Sequence, residues 1–183
     1  MGDDARFDAD VSTARPAPAP AAPALKLEEF LPYRLNVLAT LVSQALARVY
    51  AERYDIGVPE WRVMATLGQY GVMTGKAIGA HAHMHKTKVS RAVAVLESRK
   101  LVARRANRSD MRESFLSLTP AGHAVYCELA PVMLAMAQQL IEAVEPADRA
   151  VFDRVLTILT ERSVGLAAAQ VPSDDSARTS KDG

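Results

Sequence analysis

Between His85 and Arg99 lies a run of residues suited to reading a polyanion: Lys86-Thr-Lys-Val-Ser-Arg-Ala-Val-Ala-Val-Leu-Glu-Ser98. At 3.6 residues per turn, Val89, Ala92, Val93 and Leu96 fall on one side of a helix. Lys86, Thr87, Lys88, Ser90, Arg91 and Ala94 fall on the other. The apolar side can dock on a core. The opposite side offers cations, hydroxyls and a small residue, with little bulk and no negative charge. Such a surface can enter a DNA major groove, where Lys and Arg meet phosphates and guanine edges and Thr, Ser and Ala fit close to base edges and methyl groups. A solvated amphipathic helix has the same binary pattern, so the flanking sequence has to separate the two readings.

The charge distribution favours the first. From Lys86 to Arg112 nine cations stand against two anions, Glu97 and Asp110, a local excess of +7. The whole chain carries only +1, so the remainder is acidic, at −6. One basic segment on an otherwise acidic protein is the electrostatic footprint of a site for a polyanion.

The neighbouring elements position this helix. Thr74 can cap a short helix to about His81, with Ile78 turned inward. A turn through Ala82, His83 and Met84 follows, and His85 is expected to cap the basic helix. Two helices joined by a short turn, the second basic, form a helix-turn-helix. After Leu101 the period changes. Leu101–Ala106 and Glu113–Leu118 have strand character, and the polar connector Asn107-Arg-Ser-Asp-Met-Arg112 has hairpin length. A hairpin directly after a recognition helix is a wing. Its tip offers Arg108 and Arg112, which can reach into an adjacent minor groove. Lys86, Arg104 and Arg105 are candidates for phosphates, though Arg104 and Arg105 are not expected to serve together, because neighbouring strand residues face opposite ways.

Ahead of this block, Leu31, Leu35, Leu38, Val42, Leu46 and Val49 mark a long first helix, roughly 27–54. Gly57 is expected to supply a left-handed cap, and Pro59 the first turn of a second helix to about Tyr70, with Trp61, Met64, Ala65 and Leu67 buried. Thr119 and Pro120 open a fifth helix to about Val144, and Pro146 opens a sixth. The expected fold is mainly α with a small β-hairpin wing. It has a winged helix-turn-helix over 59–119, a helical dimerisation region from 27–58 and 120–166, a disordered Ala/Pro-rich arm over 1–26 and a disordered tail over 167–183. The first and last two helices carry more apolar surface than one small winged core can cover, and a second copy of the chain is the natural cover.

Other chemistries are weighed and set aside. His81, His83 and His85 alternate, but at a helix end and turn they do not converge. With His123 they lack nearby Cys or carboxylates to complete a tetrahedral set, so no metal is expected, and capping or DNA-backbone contact is the preferred role. The single cysteine, Cys127, permits no internal disulfide and fits a reducing compartment. Its apolar neighbours Val125, Leu129 and Ala130 point to a structural, unreactive thiol. No Gly-rich phosphate loop, nucleophile elbow or telling carboxylate pair suggests an enzyme, and no cofactor is expected. No uninterrupted apolar run reaches the ~20 residues of a membrane span, and no secretory signal is visible, so a cytoplasmic protein is expected, nucleoid-associated as a DNA binder.

Taken together, these stretches resemble the MarR family of winged-helix transcriptional regulators over about residues 31–166. Trp61-Arg-Val-Met-Ala-Thr-Leu67 is similar to that family's aromatic-x-Val-Leu-x-x-Leu stretch, and His85–Val102 to its recognition helix. Asp110-Met-Arg-Glu-Ser-Phe-Leu-Ser-Leu-Thr-Pro-Ala-Gly122 resembles its Asp-x-Arg wing and Leu-Thr-x-x-Gly junction. The resemblance implies a homodimer held by the first and last two helices, with two recognition helices in successive major grooves of a palindromic operator. It assigns Arg112 to the minor groove and Asp110 to bracing the wing. Met111 stands where the family often has a second Arg. The resemblance also implies release by a small molecule, and Leu31–Ala39 looks like the first helix of members that respond to aromatic acids and their coenzyme A thioesters. Arg34, with its planar fork, is the candidate carboxylate clamp. Solvent or dimer-interface exposure is the competing role for that side chain. A DNA-binding activator or architectural protein without an effector, and a winged helix used for protein interaction, are the rival functions.

Overall fold

The computed structural model describes residues 24–106 and 113–169. The chain divides into two compact units, one ending at Val42 and the other beginning at Ser43. The described part of the first holds a turn at 27–29 and the opening turns of helix α1 (Leu31–Tyr54). Leu31, Leu35, Leu38 and Leu41 are exposed along it.

The second unit carries the rest of α1 and then α2 (Val58–Tyr70), β1 (Met73–Thr74), α3 (Gly75–His81), α4 (Lys86–Ser98), β2 (Val102–Ala106), β3 (Ser114–Leu118), α5 (Pro120–Glu142) and α6 (Pro146–Ala169). Its core gathers side chains from nearly every element, among them Tyr50, Met64, Ile78, Leu96, Leu116 and Leu129. Tyr50 and Leu129 belong to helices assigned from sequence to dimerisation, yet they are 1% and 0% exposed inside this core. The last turns of α1 and the first half of α5 are therefore part of the scaffold that holds α4.

The link from α1 to α2 differs from expectation. Gly57 is extended, at φ −93 and ψ −179, and the left-handed residue is Asp55 at φ 48. Asp tolerates this region because its short polar side chain can bond locally. Gly57 instead donates its N–H to the Glu60 carboxylate at 3.0 Å. Within α2, Val63 and Thr66 are buried, whereas Trp61 and Ala65 are only half-buried. Trp61 lies between aromatic rings, 5.8 Å from Tyr50 and 6.3 Å from Tyr126. Burial pushes the Tyr50 phenol above its usual range.

The hairpin forms as its period suggests, and a third strand joins it. The antiparallel order is β1-β3-β2, with Met73 opposite Leu116 and Val102 opposite Leu118. At the exit of the sheet, Thr119 caps α5 by accepting the Gly122 N–H at 3.0 Å, and donates its hydroxyl to the Lys100 carbonyl at 2.7 Å. Taken as a whole helix rather than as an uninterrupted run, α5 is long and apolar enough to cross a membrane. Gly122 and Leu129 are its buried residues. Leu134 and Leu140, further along, are 71% and 51% exposed.

Candidate nucleic-acid interface

Helix α4 sorts its side chains as the sequence requires. Val89, Ala92, Val93 and Leu96 are buried, and Lys86, Thr87, Lys88, Ser90, Arg91 and Ala94 are all exposed. His85 caps the helix, its Nδ1 accepting the Thr87 N–H at 3.3 Å. Thr74 caps α3 in the same way, through the Ala77 N–H at 3.2 Å.

The first turn of α4 contains two lysines and no acid. That is the reverse of what helix stability favours, because the N-terminal end of the macrodipole is positive and repels cations, at about 0.3–1 kcal/mol each where exposed. Among the described residues, Lys86, Lys88 and Arg91 take part in no ion pair. A helix that begins with unneutralised cations is destabilised locally, and an arriving phosphate removes that cost.

The wing strands place Arg104 and Arg105 on opposite faces. Arg104 shares the face of buried Leu116, and Arg105 that of Phe115. Arg104 turns back onto α4 and meets Glu97 through two bonds of 2.8 Å. This bidentate pairing holds the guanidinium protonated even more firmly than usual. Glu97 thus occupies the arginine that the sequence offered to a phosphate, while Arg105 points away from it. Arg108, Asp110 and Arg112 lie outside the described residues.

Below the exposed face of α4 is a cavity of about 620 Å³, bounded by α3, α4 and the sheet. Met84, Val89, Val93 and Leu116 supply apolar wall, and Lys76, Lys86, Ser90 and Arg104 supply the polar rim. Lys76 did not stand out from the sequence, because it sits on a seven-residue helix too short to show a face. Arg34 is exposed on α1.

The histidines serve separate purposes. His81 packs against Tyr70 at 4.4 Å between ring centroids, His85 caps α4, and His123 Nδ1 lies 3.4 Å from Cys127 Sγ. Among the described residues, no three His, Cys, Asp or Glu side chains gather as a metal site would require. Cys127 is exposed, so the apolar surroundings expected of it do not enclose it. Val125 and Leu129 are two positions away on either side, so on a helix they face roughly 200° from the thiol and do not enclose it.

Residues 56–114 match the MarR family profile. No curated relative matches the sequence. Among solved structures, a MarR family regulator from Silicibacter pomeroyi is 28% identical, with a TM-score of 0.62 over 73% of this chain and 90% of that one. The Streptomyces coelicolor MarR family regulator Sco3205, solved in complex with DNA, shares the fold at 24% identity, with a TM-score of 0.67 over 76% of this chain and 90% of its own. The PcaV regulator of the same organism, solved with its natural ligand, shares it at 19% identity and a TM-score of 0.63, over 78% and 99%. With its helix-turn-helix and three-stranded wing sheet, the chain carries a MarR-family segment over residues 56–114 and shares the fold of MarR family transcriptional regulators.

Proposed function

We propose that the chain is a homodimeric, cytoplasmic and nucleoid-associated repressor that holds an inverted-repeat operator and releases it on binding a small aromatic acid or its coenzyme A thioester. The observation that carries the DNA part is the exposed, cationic face of α4. Thr87, Lys88, Ser90 and Arg91 read bases or adjacent phosphates there, and Lys86 holds the backbone. The dimer part draws on exposed apolar residues that a monomer would leave in water. Leu134 and Leu140 lie on α5, and Val151, Phe152, Val155 and Ile158 on α6, all at least 39% exposed. A second copy that covers them sets two recognition helices one DNA turn apart, ~34 Å.

The wing completes the reading. Arg108 and Arg112 enter the minor groove, and Asp110 braces the tip that carries them. Arg112→Ala should weaken binding and flatten its dependence on salt by about one unit of slope. An unchanged slope removes Arg112 from the interface.

For the effector, Arg34 offers a bidentate fork to a carboxylate. The cavity beside α4, of about 620 Å³, falls in the range of small-molecule sites and shares Lys86 and Ser90 with the DNA face. The test is to titrate the protein–duplex complex with aromatic acids and their coenzyme A esters. Release by one of them, at a concentration that Arg34→Ala raises, supports the clamp. Release that Arg34→Ala leaves unchanged moves the site away from that residue. A complex that none of these compounds releases leaves a DNA-binding protein without this sensor.

A further inference from the structure

The end of α4 remote from the exposed cations is held by an arginine that has no place in the contacts assigned so far. Arg99, the C-cap of α4, donates from Nη1 to the Tyr54 carbonyl at 2.7 Å and from Nη2 to the Asp55 carboxylate at 2.6 Å. Tyr54 is the last residue of α1, and Asp55 holds the left-handed conformation that ends it. On the other side of the same turn, Lys100 and Leu101 present their carbonyls to Thr119, at 2.7 and 3.0 Å from its hydroxyl and its N–H. The Tyr54 hydroxyl closes the ring by donating to the Glu128 carboxylate on α5, which pushes the phenol above its usual range. The C-terminal end of the recognition helix is thus tied to the last turn of α1 and to the first turn of α5.

We propose that Arg99 is a positioning residue for DNA binding: its two bonds to Tyr54 and Asp55 fix the direction in which α4 points from the end of α1. The proposal rests on α4 being the DNA-reading helix. Arg99 itself is remote from Lys86, since the 13 residues of α4 span roughly 20 Å. Its planar fork is needed because the two acceptors sit apart and each takes a different Nη, an arrangement one ammonium on a flexible stem does not reproduce. Without it the helix keeps its buried face but gains freedom about its own far end, and the cations at its start no longer arrive in register with the groove.

Two substitutions separate this role from a phosphate contact. Arg99→Lys keeps the charge and loses the fork. Asp55→Asn keeps a residue that tolerates positive φ and removes an anion, which by Coulomb attraction alone should tighten binding to DNA. The full chain and each variant are titrated against one duplex across a range of salt. Both variants should bind about threefold or more weakly than wild type, with the salt slope unchanged. Hydrogen exchange without DNA should quicken at Asp55, Ile56 and the 99–101 turn in both. Wild-type affinity in either variant, or tighter binding by Asp55→Asn, overturns the proposal while leaving DNA binding standing. A wild-type chain that ignores duplex DNA at every salt concentration overturns the DNA reading and this proposal with it.

Discussion

A chain with alanine at Lys86, Lys88 and Arg91 should lose roughly a hundredfold or more of its affinity for duplex DNA while keeping its fold. If all three meet phosphates, the slope of log affinity against log salt should fall by about 2.7 per engaged protomer, at about 0.9 per contact. If one of them reads a base edge instead, the slope falls by less, and discrimination among sequences falls with it, by about 1–3 kcal/mol at that position. The stability arm of the prediction has the opposite sign. All three side chains are exposed, and alanine is a better helix former than either residue. Two of them sit where the macrodipole disfavours a cation, so the variant should melt at the wild-type temperature or slightly above it. Lost stability together with lost binding would mean that these side chains serve the fold, and the assignment of α4 would fail.

Gly122→Ala should do the reverse, destabilising the protein before any question of DNA arises. A Cβ at this position would lie 1.9 Å from the Leu101 carbonyl oxygen and 2.9 Å from its carbon. Those atoms are backbone, and they are also held by the Thr119 N–H, so no side-chain rotation relieves the overlap. Either α5 backs away from the start of β2, or the 99–101 turn shifts and α4 moves with it. A cost of about 3 kcal/mol or more is expected, in the range of severe core overpacking. For a chain of this size that is a drop of roughly 10 °C in the unfolding midpoint. A midpoint within about 2 °C of wild type would mean that α5 does not approach the turn this closely. The requirement here is for space, since Gly122 is an ordinary helical residue and not one with positive φ.

The elements legible in the sequence are those whose signal is local. Helix α4 declared both faces through a 3.6-residue period. Its cap, the Thr119–Pro120 start of α5 and the switch to strands after Leu101 each depend on residues a few positions apart. What escaped depends on partners distant in sequence or on the difference between sequence neighbours and helix neighbours. Strand β1 has two residues, Met73 and Thr74, too few to show alternation, and it exists because β3 offers them its free edge. The Arg104–Glu97 pair joins a strand to a helix seven positions earlier, outside the three- and four-residue spacing that marks pairs within one helix. The stop after α1 contains Asp55 and Gly57, and glycine is the default choice for positive φ, yet the earlier residue takes it. Cys127 is exposed because helix geometry turns two of its apolar sequence neighbours, Val125 and Leu129, to another side, and the small Ala130 beside it does not cover the thiol.

The candidate site was legible in the same proportion. Six residues of α4 lie on the exposed face where the spacing put them. Arg99 was visible only as one more cation in a basic segment, and its second role appears once the end of α1 is brought beside it.

The most direct test of the DNA-reading face is a lysine-labelling footprint of the full chain with and without a duplex carrying its operator. An amine-reactive reagent should modify Lys86 and Lys88 readily in the free protein, where both are exposed, and should lose them to protection in the complex. If these two lysines react as fast on the duplex as off it while the complex stays intact, α4 is not the helix in the groove.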